Sequence, residues 1–337
     1  MIEIKIYVPS YFKKFRCIAG ECPDTCCIGW EVDIDPETAD RYSVIDGMLG
    51  NKIKKHLTRD ETGCDIFTLC ASNRCPFLNS NNLCEIQLNV GEDALSKTCT
   101  LFPRFFDDFG QIREMGLGFG CPEAARIILE DNNAFTLNYY DKCSDTSEEI
   151  DEIFLTELIE LRKAMFSILE DGNYDFREKV TEILNLAKEF QMLIDGELFE
   201  DNNQHRTFQD CIAILENMEF INVERKAFVI GIKTQELTED VFKLYRSDFE
   251  KLMIYYIFRY LLKAVYDYDV LTKVKYGIFA CIVISRIYSV IENIDFDTRV
   301  KVMYSYSKEV EYSDLNMELL DEMLYENFGT NDLMNLI

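Results

Sequence analysis

Thiolate sulfur is a soft, charged metal ligand, and the first 121 residues of this 337-residue chain carry eight cysteines spaced to use it: Cys17, Cys22, Cys26, Cys27, Cys75, Cys84, Cys99 and Cys121. A lone buried thiolate is costly, and coordination to a cation offsets that cost. A set made only of cysteine suits a [4Fe–4S] cluster, which takes four thiolates, or three with one iron left open. Zinc is the alternative. It usually sits on C-x2-C knuckles, and none occurs here: the closest spacings are Cys17-x4-Cys22, Cys22-x3-Cys26 and the adjacent Cys26-Cys27. A chain without metal is the third reading. Eight thiols are twice what one site needs, so some must be supporting, structural or redox-active. Loop and element-end positions favour Cys22, Cys26, Cys75 and Cys99, with Cys17, Cys27, Cys84 and Cys121 behind them. Cys64, Cys70 and Cys143 read as ordinary surface or packing thiols.

The distribution sharpens the point. Of 13 cysteines, 11 precede residue 144, and only Cys211 and Cys281 follow. Cysteine used as a small core residue would be spread more evenly. The formal charge of -26 argues against a nucleic-acid partner, which needs a basic surface to release counterions. Anionic membranes are disfavoured for the same reason, whereas a basic, lysine-bearing partner would be attracted. The start, MIEIKIYVPSYFKKFR, has no apolar signal region. The longest uncharged apolar run, Tyr276 to Ser285, is too short to span a bilayer. The expectation is a cytoplasmic protein, with thiols serving metal or redox chemistry rather than disulfides.

Short elements must position the thiols. Ile2 to Val8 alternates apolar and polar residues and predicts a strand. The stretch from Cys17 to Cys27, with Gly20, Pro23, Asp24 and Thr25, predicts a loop able to curl several sulfurs inward. Trp30 to Asp35 alternates again. Asp35-Pro36 then opens a helix to about Tyr42, with aspartate as N-cap and proline in the first turn. Residues 46–74 read as a polar excursion. Cys75-Pro-Phe-Leu, Asn79-Ser-Asn-Asn and Leu83-Cys84-Glu-Ile make a hairpin pattern that brings Cys75 and Cys84 together. A short helix over Gly91 to Lys97 delivers Cys99, and Phe102-Pro103-Arg104 stops it. Cys121-Pro122-Glu123 opens another helix, through Leu129. Residues 131–149 carry little pattern and end in the acidic Asp145, Glu148 and Glu149. Beyond them the spacing of Ile150, Ile153, Phe154, Leu158, Leu161, Met165, Ile168 and Leu169 is that of an amphipathic helix. The run from Val180 to Ile194 repeats it, and helices are predicted near 238–266, 270–293 and 314–327. The fold class expected is mainly α: a loop-rich cysteine-cluster domain with short strands over 1–135, then a helical bundle over 145–337.

Other constellations are weaker. His56 and His205 are the only histidines, and neither anchors a triad. Glu114-x-Gly116-x-Gly118-x-Gly120 has the acidic-then-glycine form of a cofactor loop, but no clear apolar strand leads into it and no βαβ pattern follows. Close backbone packing beside Cys121 accounts for it better. The radical signature C-x3-C-x2-C fails because Gly29 stands where its third cysteine belongs.

Six motifs in order carry a family resemblance: Phe15-Arg-Cys17…Cys22-Pro-Asp-Thr-Cys26-Cys27-x-Gly29-Trp30, CPFL at 75–78, LCEI at 83–86, LSKTC at 95–99, Phe-Pro-Arg at 102–104 and CPEAAR at 121–126. The chain resembles the flagellin lysine-N-methylase family, part of a wider group of cysteine-cluster proteins regarded as zinc or iron chelators. The likeness covers about the first 130 residues. The helical half is similar only loosely, around Tyr255-Tyr-Ile-Phe-Arg-Tyr-Leu-Leu. The resemblance implies methyl transfer from S-adenosylmethionine to flagellin lysine ε-amines, with a [4Fe–4S] cluster, and carries metal binding onto all eight cysteines named above. Two departures stand out: GLGFG replaces a usually Ser/Leu-rich segment, and Cys64 and Cys70 are extra. The chemistry asks for acidic and aromatic groups around a sulfonium, for which Glu85, Glu114, Glu123, Tyr255 and Tyr256 are candidates. The competing expectation is a non-enzymatic iron–sulfur or zinc module that recruits a partner or senses redox state through Cys26-Cys27.

Overall fold

The computed structural model describes the chain except residues 1, 31, 71–72, 134, 145–148, 222–225 and 227–239, together with the side chains of 2, 3 and 142–144. The protein is mainly helical with two small sheets. It divides into two compact units. One comprises Arg16–Phe105 with Cys121–Glu123; the other comprises Met1–Phe15, Phe106–Gly120 and Ala124–Ile337.

The smaller unit holds all eight candidate cysteines. Its sheet runs in the order β2 (Val32–Ile34), β4 (Asp65–Phe67), β3 (Leu57–Arg59), all antiparallel. Between them come α1 (Pro36–Ser43) and α2 (Gly47–His56). Asp35 caps α1 as its sequence predicts, accepting from the Thr38 amide at 3.2 Å. The stretch 46–74 is more ordered than a polar excursion. Three of its apolar residues, Ile53, Ile66 and Phe67, are buried, and they seat a helix and two strands on one core. Further on, α3 (Glu85–Val90) and α4 (Lys97–Leu101) replace the single helix expected over Gly91 to Lys97, a segment that forms only a 3-10 turn at Glu92–Ala94.

The larger unit is organised on β1 (Ile2–Pro9). Ile4, Ile6 and Val8 are buried on one face, as its alternation requires. The sheet order is β5 (Arg104–Phe109), β6 (Ile112–Leu117), β1, β7 (Leu137–Ser144); β1 runs parallel to β6 and antiparallel to β7. Two expectations change here. A strand does lead into the glycine stretch, namely β6, and the patternless 131–149 region contributes β7. Part of the acidic run Asp145 to Glu149 lies outside the described residues.

Helices make up the rest: α5 (Pro122–Glu130), α6 (Glu152–Glu170), α7 (Phe176–Asp195), α8 (Phe208–Asn217), α9 (Arg246–Tyr260), α10 (Val270–Val290), α11 (Phe296–Val310), α12 (Asp314–Asn327) and α13 (Thr330–Leu336). Their starts follow local chemistry. Asp151, Asp175, Asp269 and Asp295 each accept from an amide of the first turn, and Glu178 completes a capping box with Asp175. Most of α10 is buried around its full circumference, as an apolar central helix must be. It packs on α7, α9, α11 and α12. Among the described residues no helix is long and apolar enough to cross a membrane.

Candidate metal centre

The thiol-bearing unit is built around Val32, Ile34, Tyr42, Ile53, Phe67, Phe77 and Ile86, with Cys75 among them and Cys27, Cys84 and Cys99 packed against the same core. Tyr42 stacks on Phe67 at 5.7 Å and Phe67 meets Phe77 at 4.5 Å between ring centroids. This aromatic floor fixes the loops above it.

Each loop has its own tether. The Cys75 amide donates to the Cys27 carbonyl at 2.8 Å. The Asn79 side chain accepts from the Asn81 and Leu83 amides, closing the turn between the two apolar arms. Leu78 then bridges Cys84, and the Glu85 amide donates to the Phe77 carbonyl at 2.8 Å. The predicted hairpin is thus a short one that passes directly into α3, with Cys84 at its N-cap. Ser96 caps α4 by accepting from the Cys99 amide at 3.2 Å, and the Asp35 carboxylate accepts from the Lys97 amide at 2.9 Å. Asp35 therefore ties α1 to the helix that carries Cys99. The Trp30 indole donates to the Cys26 carbonyl at 2.7 Å, and its ring lies 5.9 Å from Phe102, the residue that ends α4.

These tethers bring sulfurs into one another's field. Cys75 and Cys84, Cys75 and Cys99, Cys84 and Cys99, Cys26 and Cys84, and Cys26 and Cys99 are each near enough for charge on one to disfavour charge on the other. Cys22 is related in the same way to Cys26 and Cys17, while Cys17 and Cys121 both act on Arg104. Burial pushes Cys75 up to about 12 and Cys99 up to about 11, and raises Cys22 and Cys84. Hydrogen-bond donors oppose the rise at each sulfur: the Phe77 amide at Cys75, the Ile86 and Gln87 amides at Cys84, the Asp24 amide at Cys22 and the Ser96 side chain at Cys99. Among the described residues no three His, Cys, Asp or Glu side chains stand close enough to grip a single metal ion. The donor set, sulfur supported by amide N–H groups, has the chemistry of a thiophilic centre. Cys64 and Cys70 are exposed; the side chain of Cys143 lies outside the described residues.

The other candidates are placed differently. Glu114 is buried and held bidentately by Arg162, at 2.6 and 2.7 Å, so β6 and α6 consume its charge in a structural pair. Glu85 is bonded by Lys52 at 2.6 Å, and Glu123 is buried. Tyr255 and Tyr260 both donate to Glu311, at 2.8 and 2.9 Å, and Arg259 completes the cluster at 3.3 Å. Tyr256 is buried beside them. Sequence reasoning passed over Glu311, because α11 and the turn after it carry no motif. The glycine stretch packs against the same cluster: a Cβ on Gly118 would lie 1.9 Å from the Tyr312 hydroxyl. Close packing is thus what these glycines serve. His56 sets its edge on Phe77 and is half-buried, while His205 is exposed.

Comparison with known proteins places this architecture. Residues 137–337 match the family described as FliB lysine N-methylase C-terminal domain, in the half where the resemblance read from sequence is weakest. A lysine-N-methylase of Salmonella typhimurium (strain LT2) is 30% identical over 143 residues, 41% of this chain and 36% of that protein. Flagellar biosynthetic protein FliU of Salmonella muenchen is 30% identical over 142 residues, 41% of this chain and 84% of that protein. The chain thus aligns with little more than a third of the length of the curated lysine-N-methylase. No solved structure matches. The chain belongs to the FliB lysine N-methylase C-terminal domain family.

Proposed function

We propose that this protein is an S-adenosylmethionine-dependent lysine N-methyltransferase acting on flagellin, and that its cysteine-rich unit holds a [4Fe–4S] cluster. The observation that carries the reading is the family match across 137–337. The relative named for flagellar biosynthesis supports a flagellar substrate. The formal charge of -26 suits the approach of a lysine-bearing surface.

The reaction asks for a neutral amine. The lysine nitrogen forms a bond to the donor's methyl carbon as the carbon–sulfur bond breaks; the thioether leaves and the nitrogen gives up a proton. A desolvated site or a nearby carboxylate makes that nitrogen available. Four of the eight thiols would hold iron, Cys75, Cys84 and Cys99 being three that share one core, and the iron would contribute charge and a fixed scaffold to their unit. The chain's own part is to donate amide N–H groups to those sulfurs and to shelter them on the Tyr42–Phe67–Phe77 floor.

The test is incubation of the anaerobically purified chain with methyl-labelled S-adenosylmethionine and flagellin, with mass spectrometry of the flagellin lysines. Labelled methyl-lysine is expected; unlabelled lysine throughout rejects the activity. One observation favours a second reading, a metal-binding recruitment module. The thiols of Cys27, Cys75, Cys84 and Cys99 gathered on one core would serve such a module, which would bind flagellin without modifying it. Flagellin captured in a pull-down with no label incorporated is the outcome that supports it.

A further inference from the structure

A pocket in the larger unit holds polar groups that the fold leaves unused. Its walls come from Tyr11 beyond β1, Ile128 of α5, Asp131 and Phe135 of the segment after α5, and Lys251 and Ile254 of α9. We propose that this pocket binds the charged end of an α-amino acid, with Lys251 and Tyr11 on its carboxylate and Asp131 on its ammonium. S-adenosylmethionine and free methionine both carry such an end. Naming the first as ligand rests on the function proposed above; the chemistry of the pocket does not.

The walls are fixed from several sides. The Phe135 amide donates to a Glu170 carboxylate oxygen at 3.1 Å, and its ring lies 4.9 Å from Phe166 and 6.4 Å from Tyr11. Lys251 donates to the Leu129 carbonyl, in the last turn of α5, at 2.5 Å and to Asn132 Oδ1 at 3.2 Å. These bonds place the amine and use two of its three N–H donors.

The neighbouring groups are similarly part-used. The Asp131 side chain is only 7% exposed. Its Oδ1 accepts from Lys14 at 3.3 Å and from the Asn133 side chain at 2.6 Å, whereas Oδ2 accepts no hydrogen bond among the described residues. Burial pushes this carboxyl up, but the bonds from Asn133 and Lys14 outweigh that and hold it below its usual range, so it stays ionised. Tyr11 is 5% exposed, and its hydroxyl has no hydrogen-bond partner among the described residues. Burial and the nearby Asp131 keep that hydroxyl protonated, and hence a donor. A buried donor left unpaired is costly, and a ligand oxygen offsets the cost.

The unused atoms define the ligand. The Lys251 N–H and the Tyr11 O–H call for an anionic oxygen, and Asp131 Oδ2 calls for a cation. An anion alone meets repulsion from Asp131, and a cation alone meets it from Lys251. A group with both charges on one carbon satisfies both. Burial also lowers the Lys251 amine, and a carboxylate beside it supplies a counter-charge. The pocket measures about 40 Å³, room for roughly three water-sized groups. That admits an ammonium and a carboxylate and leaves a nucleoside outside. Ile128, Ile254 and Phe135 offer apolar wall to the first methylenes of the side chain.

Equilibrium dialysis of the full chain tests this with S-adenosylmethionine, L-methionine and methylthioadenosine, which keeps the nucleoside and lacks the amino-acid end. Wild type is compared with Tyr11→Phe and Asp131→Asn, and circular dichroism confirms folding. Tyr11→Phe removes only an unbonded oxygen, so it decides the matter alone if Asp131→Asn fails to fold. Each substitution should weaken S-adenosylmethionine and L-methionine about tenfold, as loss of a hydrogen bond to a charged group does, and leave methylthioadenosine unchanged. Acetylation followed by peptide mass spectrometry reads the site itself: L-methionine should protect Lys251 in the wild type. S-adenosylmethionine bound equally by all three proteins overturns the pocket and leaves the cofactor reading standing. L-methionine protecting Lys251 while S-adenosylmethionine fails to bind keeps the pocket and rejects the cofactor reading. Neither ligand bound by the wild type, or Lys251 acetylated at one rate with and without L-methionine, means a pocket filled by water alone and overturns the proposal.

Discussion

The two units of this molecule solve the problem of buried polarity in opposite ways. In the larger unit buried charges among the described residues are met by protein partners: Glu114 by Arg162, Asp248 by Arg299 and Tyr288, Glu311 by Tyr255, Tyr260 and Arg259. Its apolar helices then close around those pairs. In the smaller unit Cys75, Cys84 and Cys99 face the core, and what surrounds these three are mainly hydrogen-bond donors and other sulfurs. The lesson is that the first unit neutralises its buried charges with protein partners, whereas the second gathers thiols on an apolar core and supplies them mainly with hydrogen-bond donors.

Substitutions can break that contrast from either side. The largest effect is expected from Arg162→Ala, which strands Glu114 in the interior; loss of one partner from a buried pair costs about 3–5 kcal/mol. Calorimetry should show the helical unit melting earlier, while iron uptake by the thiol unit is unchanged. Replacing both residues, Arg162→Met with Glu114→Leu, should recover most of the loss. Phe77→Ala is the mirror image. It removes a fully buried ring from the thiol unit's core, at a cost of about 3–5 kcal/mol, and should lower iron uptake while the main helical transition holds.

Asp35→Ala sharpens the comparison on a smaller scale. Burial pushes its carboxyl up, but hydrogen bonds from Lys97 and Thr38 outweigh that and hold it below the usual range. Removing a cap costs about 1 kcal/mol, and because the same carboxylate tethers α4, the variant should load iron more slowly. The smallest effect concerns acid. Asp201, opposed by burial but bonded by Lys188, Thr330 and Asn203, is lowered to about 2. A carboxylate whose folded value lies below its unfolded value stabilises the fold above the unfolded value. That contribution is present at neutral pH, declines as pH falls below about 4 and is gone below about 2. Asp201→Asn should flatten the acid limb of the helical unit's melting curve and leave the neutral limb in place.

Much of this contrast was legible in the residues. The cap at Asp35 and the amphipathic stripes of α6 and α7 are local signals, and they form as their spacing predicts. The misses share a cause. In β7, Leu137-Asn-Tyr-Tyr-Asp-Lys has no alternation; it is a strand because β1 offers it an edge. In β6 the inward Glu114 disguises the pattern, and only Arg162, 48 residues later, makes that inward charge tolerable. Glu311 was invisible because its partners lie on another helix. The thiols were legible as a set but not as pairs, since the tethers from Trp30 to Phe102 and from Asp35 to Lys97 link residues far apart in the chain.

Hydrogen exchange by mass spectrometry on the reconstituted full chain, before and after iron is stripped by a chelator, tests the contrast most directly. The account predicts that amides within 16–105 lose protection on stripping while those of α7, α9 and α10 keep it. Equal loss in both units, or unchanged protection across 16–105, would contradict it.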